Sequence, residues 1–214
     1  MHKIILLHLT LLFTLSFTQG QQTIFSDEVE GVKYLFFDIC PSDVEGKTTV
    51  TQNKEKSSYN NEEFVQYLID QIIIKDFIPH LNSLEECIEL TLDIVNSKYQ
   101  SLNELDTNCI ENFEVGNFHY TQPNFLDIEV IRTKNKQIEK SSIIKHIYQI
   151  DWVSPCNYLL TTLEVSDPKE KHLIGNTIDI KIIDILDNGN YVWFTVLSNG
   201  AIIYGEMEKV NDHL

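Results

Sequence analysis

Two Asn-Gly dipeptides, Asn188-Gly189 and Asn199-Gly200, each sit between runs in which apolar and polar residues alternate. A two-residue type I′ hairpin turn needs positive φ at both central positions, which glycine reaches at no cost and asparagine tolerates, so both are predicted as hairpins of that type. Three meander strands follow from them, over 176–186, 190–198 and 201–209. The same alternation reaches back to Cys109 and predicts strands over 114–121, 126–133, 137–141, 144–153 and 157–165, two of which meet at a corner marked by Pro155. Both faces of 191–197 are apolar, with Tyr191 and Trp193 on one and Val192, Phe194 and Val196 on the other, so this strand is expected to be covered twice. With Asn199 and Gly200 central, Phe194 faces Gly205, and its ring covers a residue that lacks a side chain.

Ahead of the alternation the period reads as 3.6. Residues 1–20 have the form of a signal peptide: Lys3, an apolar core, then Thr18 and Gly20. Cleavage after Gly20 leaves no later segment apolar enough to span a membrane, and the first mature residue, Gln21, is not a cysteine that could carry a lipid. A first helix is predicted over 26–39 from Val29, Val32, Leu35, Phe36 and Ile39. A second starts at Asn60 with Glu63 and runs to Pro79, and a third starts at Ser83 with Glu86 and carries Ile88, Leu92, Val95, Tyr99 and Leu102. Between the first two, 42–58 is polar and is expected to be a mobile loop. The fold class expected is therefore α+β: the signal over 1–20, about three helices over 21–108, and over 109–214 an antiparallel meander or partly closed, lipocalin-like barrel.

Charge narrows the partners. The chain has 16 basic and 32 acidic residues, and losing Lys3 with the signal leaves 15 against 32, a net of −17. That field repels a phosphate backbone, and Arg132 is the only arginine, so nucleic acid is excluded as a partner. The even set Cys40, Cys87, Cys109 and Cys156 in an exported chain points to disulfides. Three pairings are open; Cys40 with Cys87 and Cys109 with Cys156 is the one that cross-links each part within itself. The cysteines lack the short spacing of a zinc site and no histidine accompanies them, so no metal is expected, nor any cofactor.

The residues Cys109, Gly116-Asn117-Phe118, Arg132, Gln137-Ile138-Glu139, Tyr148-Gln149-Ile150-Asp151-Trp152 and Cys156-Asn157-Tyr158 form a pattern. It resembles the C-terminal β domain of small exported Gram-negative bacterial proteins of unknown function, some of which carry the label DNA topoisomerase IV. The resemblance covers about half of the chain, from Cys109 to Lys209. It implies a periplasmic or extracellular protein and no catalytic residues, and the chain offers no ATP or DNA-breakage module to match the topoisomerase label.

Candidate site residues are few. His119 and His146 lie on predicted strands and could converge across the sheet, whereas His80, His172 and His213 have no partner at ligand spacing. Asp179, Asp184 and Asp187 lack the EF-hand pattern, and Glu85, Glu89, Asp93 and Lys98 read as one solvated helix face. Arg132 is expected to pair with Glu139: with Asn135 and Lys136 as the central turn residues, the two face each other across the strands. The aromatic set Phe118, Tyr120, Trp152, Tyr158, Tyr191 and Trp193, with Phe194 and Tyr204, could line a pocket for a small apolar ligand or could simply be core. Two function classes follow: a non-enzymatic exported module binding a protein, envelope component or small apolar ligand through the β domain, or a hydrolase acting on envelope material. A cavity lined by the aromatics favours a carrier, a filled barrel with exposed apolar residues favours protein binding, and convergent carboxylates in a cleft favour the enzyme.

Overall fold

The structure is a computed structural model that describes residues 7–10, 20–42, 48–74, 86–103, 105 and 107–210. The chain divides into two compact units, the first of residues Met1–Ser26 and Lys33–Ile94 and the second of Asp27–Val32 and Val95–Leu214. The period switch near Cys109 falls inside the second unit.

The first unit is a five-stranded sheet with one helix. Strands β1 (Leu7–Thr10), β2 (Gly20–Ser26), β3 (Val32–Pro41), β4 (Thr48–Gln52) and β5 (Ile88–Asn96) are ordered β1-β2-β5-β3-β4, and α1 spans Glu62–Ile74. Two of the three expected helices are therefore strands: 26–39 gives way to β3, and 83–102 to β5 followed by a 3-10 turn at Ser97–Ser101. The reason lies in the burial. Tyr34, Leu35, Phe36 and Phe37 are all buried on consecutive positions of β3, as are 90–95 on β5, so these are strands covered on both faces. On β3 a run of consecutive apolar residues contains the helical spacing by default, and its aromatic content suits the pleated strand; on β5, Ile88, Leu90, Leu92 and Ile94 alternate with Glu89, Thr91 and Asp93, the period of two that a strand shows. The second helix is present over Glu62–Ile74, with its cap one residue later than expected: Asn61, not Asn60, accepts through Oδ1 from the Phe64 N–H at 3.1 Å.

The segment expected as a mobile loop is in part ordered: β4 pairs with β3, and the Ser57 and Ser58 hydroxyls then accept from the Phe36 and Tyr34 N–H groups. Its residues 43–47 lie outside the described ones, as do the ends of the predicted helices at 75–85 and most of the expected signal, of which Leu7–Thr10 pairs with 20–23. Cys40 is bonded to Cys87, which joins β3 to the residue ahead of β5 instead of joining two helices.

The second unit is a closed barrel of eight antiparallel strands. Its staves are β6 (Gly116–Tyr120), β7 (Glu129–Thr133), β8 (Lys136–Lys140), β9 (Lys145–Ser154), β10 (Asn157–Val165), β11 (Thr177–Ile185), β12 (Tyr191–Val196) and β13 (Ile202–Val210). Each pairs with the next in sequence, and β13 closes on β6 through Met207↔Tyr120 to Val210↔Asn117. Eight strands leave an interior that side chains can fill, and closure removes every unpaired edge.

The Asn-Gly turns differ from the expected type in an informative way. In both, three residues form the loop: Leu186 N–H bonds Asn190 O and Gly189 N–H bonds Leu186 O, and Leu197, Gly200 and Ala201 repeat the arrangement. Only the glycines take positive φ, +86° and +82°. The asparagine is used for its side chain, since Asn188 Oδ1 accepts from the Asn190 N–H and Asn199 Oδ1 from the Ala201 N–H. The extra loop residue moves the register by one, so Trp193, not Phe194, lies opposite Gly205. A Cβ on Gly205 would collide with the Trp193 indole, so the glycine makes room for the ring.

Candidate functional site

Alternation along the staves sends Phe118, Tyr158 and Tyr191 into the barrel, where Tyr120, Trp152 and Trp193 pack against them. These rings pack into one core cluster with the aliphatic residues: Phe118 and Tyr191 centroids are 6.2 Å apart and Trp152 and Tyr158 4.9 Å. Phe194 and Tyr204 stand on the other face, as cross-strand partners. The barrel is filled where a carrier would be hollow.

In the middle of this packing lies Arg132, only 1% exposed. Its guanidinium carbon lies 4.7 Å from the Phe118 and Tyr158 ring centroids and 5.6 Å from that of Tyr191. The turn at Lys134-Asn135 sets Arg132 opposite Gln137 and Val130 opposite Glu139, two residues from the expected partner. The direct ion pair with Glu139 is thus replaced by a relay. Arg132 Nε donates to Gln137 Oε1 at 2.7 Å, Gln137 Nε2 donates to Glu139 Oε1 at 2.6 Å, and the Tyr120 hydroxyl donates to the same oxygen at 2.8 Å. The remaining guanidinium nitrogens donate to Tyr158 Oη at 2.7 Å and to Phe113 O at 3.4 Å. Burial works against the Arg132 charge, yet the tyrosines around it hold its pKa above the ordinary value. Burial also pushes Glu139 above the usual carboxylate range, against the hydrogen bonds from Tyr120 and Gln137, and Tyr120 is pushed up by burial and by that carboxylate.

Each end of the barrel is closed differently. Helix α2 (Cys109–Phe113) covers the end near Arg132, with the Cys109–Cys156 disulfide tying it to the β9–β10 turn and the Phe113 ring 4.6 Å from Tyr191. At the far end lie the connections 121–128, 141–144, 166–176 and 197–201. There the 3-10 turn Pro168–Leu173 is held by His146 Nε2 on Glu170 at 2.7 Å, while His146 Nδ1 meets the Tyr148 hydroxyl at 3.2 Å. His119 neighbours Glu129 and Glu208 on the outer face and does not converge with His146, which points inward. Asp184 accepts from the Tyr99 hydroxyl and pairs with Lys98. His80 and His213 lie outside the described residues. Among the described residues no three His, Cys, Asp or Glu side chains gather as a metal site, and no helix is long and apolar enough to cross a membrane.

Two surface features were not visible in the sequence. Nine large apolar side chains are exposed among the described residues, and six of them, Leu126, Ile143, Leu163, Ile174, Ile178 and Val196, lie on the far-end connections or on the strand ends that feed them. Ile143 is 84% exposed. The second feature is a recess of about 190 Å³ on the outer face of the barrel, near the β9–β10 turn, floored by Ile183 and Phe194 and walled by Leu102 and Leu105. A residue on one connection and its neighbour on the next are joined by whole strands and carry no shared periodicity, so only the closed topology places them on one rim. No family model, curated protein or solved structure matches the chain.

Proposed function

We propose that the chain is an exported, non-enzymatic binding module that docks another protein of its compartment through the far rim of the barrel. The observation that carries this reading is the concentration of exposed apolar side chains on that rim, on a barrel whose interior is already filled. Charge favours a protein over a lipid surface. The four rim connections hold Asp127, Asp167 and Glu170 against Lys169 and Lys171, a nearly neutral set in a chain of net −16, with no basic cluster to attract anionic headgroups. A neutral rim with apolar tips suits an interface whose centre is depleted of charge. Two disulfides suit an oxidising compartment outside the cytosol.

The test is capture from an envelope extract of the producing cells, using the chain and its Leu126→Asp, Ile143→Asp double variant as baits. One stoichiometric protein should be retained by the unmodified chain and by Val115→Asp at the opposite end, and lost with the double variant. Substitutions this exposed should move stability by no more than about 0.5 kcal/mol. Equal capture by all three baits would end the proposal, as would retention of phosphatidylglycerol vesicles in place of a protein.

A further inference from the structure

Across the outer face of the barrel, Ser154, Asn157, Lys181 and Phe194 are successive cross-strand partners, so their side chains form one row over β9, β10, β11 and β12. All four line the recess of about 190 Å³, with Leu102, Leu105, Thr107 and Ile183 completing it. An apolar cavity of about 150 Å³ holds benzene, so this recess has room for one phenyl-sized group against Leu102, Ile183 and Phe194.

Two polar members of the row have unused capacity: one a buried acceptor, the other a charge with no counter-ion among the described residues. Asn157 Oδ1 is buried and has no hydrogen-bond partner, which costs free energy until a donor reaches it. Lys181 has no ion pair among the described residues; its ammonium stands 5.9 Å from the Phe194 ring centroid, which keeps it beside the recess. An acceptor that satisfied Lys181 and a donor that satisfied Asn157 would sit side by side, because the two residues are direct cross-strand partners. One wall is set with care: Leu102 is the only described residue other than glycine at positive φ, at 47°, and its N–H is fixed to Tyr99 O.

From this juxtaposition we infer a binding site for a small 2-hydroxy or 2-acylamino carboxylic acid with a single aromatic or branched aliphatic group. The carboxylate meets Lys181, the hydroxyl or amide N–H donates to Asn157 Oδ1, and the apolar group fills the recess. This site is separate from the rim and stands whether or not the rim binds a protein.

The probe is mandelate, which carries a phenyl ring, a hydroxyl and a carboxylate, compared with phenylacetate, methyl mandelate and benzyl alcohol by amide chemical-shift titration of the intact, oxidised chain. Mandelate should bind tightest, with shifts confined to 154–157, 181–183 and 194, and both the ester and phenylacetate should bind about tenfold more weakly. Lys181→Gln should reduce mandelate affinity about tenfold and leave benzyl alcohol unchanged, Asn157→Ala should erase the difference between mandelate and phenylacetate, and Leu105→Trp should block all four. The ligand series on the unmodified chain decides the matter even if a variant fails to fold. Equal affinities across the series, shifts at the rim, or no saturable shift at millimolar mandelate would each overturn the assignment.

Discussion

The two ends of the barrel solve the same problem with different materials. Near Arg132 the closure is covalent and polar: a disulfide holds α2 over the opening, and the guanidinium, Gln137, Glu139, Tyr120 and Tyr158 form a connected network beneath it. At the other end it is a set of connections held without a covalent tie, by backbone hydrogen bonds at each turn, the His146–Glu170 contact and an edge-on ring pair between Tyr120 and Phe125. Surface connections held by such exposed hydrogen bonds open more readily than a disulfide-held closure, and binding surfaces are drawn from them. The contrast assigns stability to the first end and interaction to the second.

The largest expected effect tests the polar network. Arg132→Met leaves Glu139 buried without its distant cation and Gln137 without its donor, and should cost about 3 to 5 kcal/mol in a denaturant titration. Adding Glu139→Gln should return part of that loss, since the two residues are coupled through Gln137; strictly additive changes would mean the relay carries no energy. Next comes the covalent closure. Replacing Cys109 and Cys156 together by alanine should lower stability by about 2 to 4 kcal/mol, and a smaller loss than that from opening a far-end contact would invert the comparison. A third substitution probes the far end itself: Gly200→Val forces a β-branched residue to φ +82° with no atom near enough to clash, so the whole cost is backbone strain of about 1 to 2 kcal/mol. Gly200→Asn should recover most of it, and an unmoved melting midpoint for the valine variant would remove the turn assignment.

The smallest readout is a slope with pH. Glu139 has its pKa raised by burial above the ordinary 4.5, so the folded chain binds more protons than the unfolded one in the window from that value up to the raised one. Stability from this residue therefore falls as pH rises through the window and levels off above it. Melting midpoints from pH 4 upward should decline less steeply in Glu139→Gln, and parallel profiles would show that the carboxyl is charged in the fold at ordinary cost.

How much of this was legible depends on periodicity. The eight staves announced themselves because each alternates, inward residue then outward, and because Asn-Gly and Pro155 mark where they turn. β3 was misread because consecutive apolar residues such as Tyr34 to Phe37 erase the alternation, and any spacing can then be found in the run; β5 does alternate, Ile88, Leu90, Leu92 and Ile94 against Glu89, Thr91 and Asp93, but Ile88, Leu92, Val95 and Tyr99 also fit the helical spacing. Arg132 stood out as the sole arginine, but its neighbourhood of tyrosines did not, because it depends on which stave faces which across the barrel interior. Its partner was missed by two residues, since moving the turn by one, from Asn135-Lys136 to Lys134-Asn135, exchanges Glu139 for Gln137. The hairpins were placed correctly and typed wrongly, because Asn188 and Asn199 serve through their side-chain oxygens and not through positive φ. The row from Ser154 to Phe194 needed four strands in register before it existed at all.

The meander order has a consequence for how the barrel comes into being. Seven of its eight seams join strands adjacent in sequence and can zip as local hairpins, each with a short loop to close. The eighth, between 117–120 and 207–210, spans nearly the whole unit and can form only after every other strand has been synthesised. Until then the growing sheet has two bare margins able to pair with a second nascent chain. The slow step of folding should accordingly be this last seam, and crowding of newly made chains should be felt before it shuts and not after.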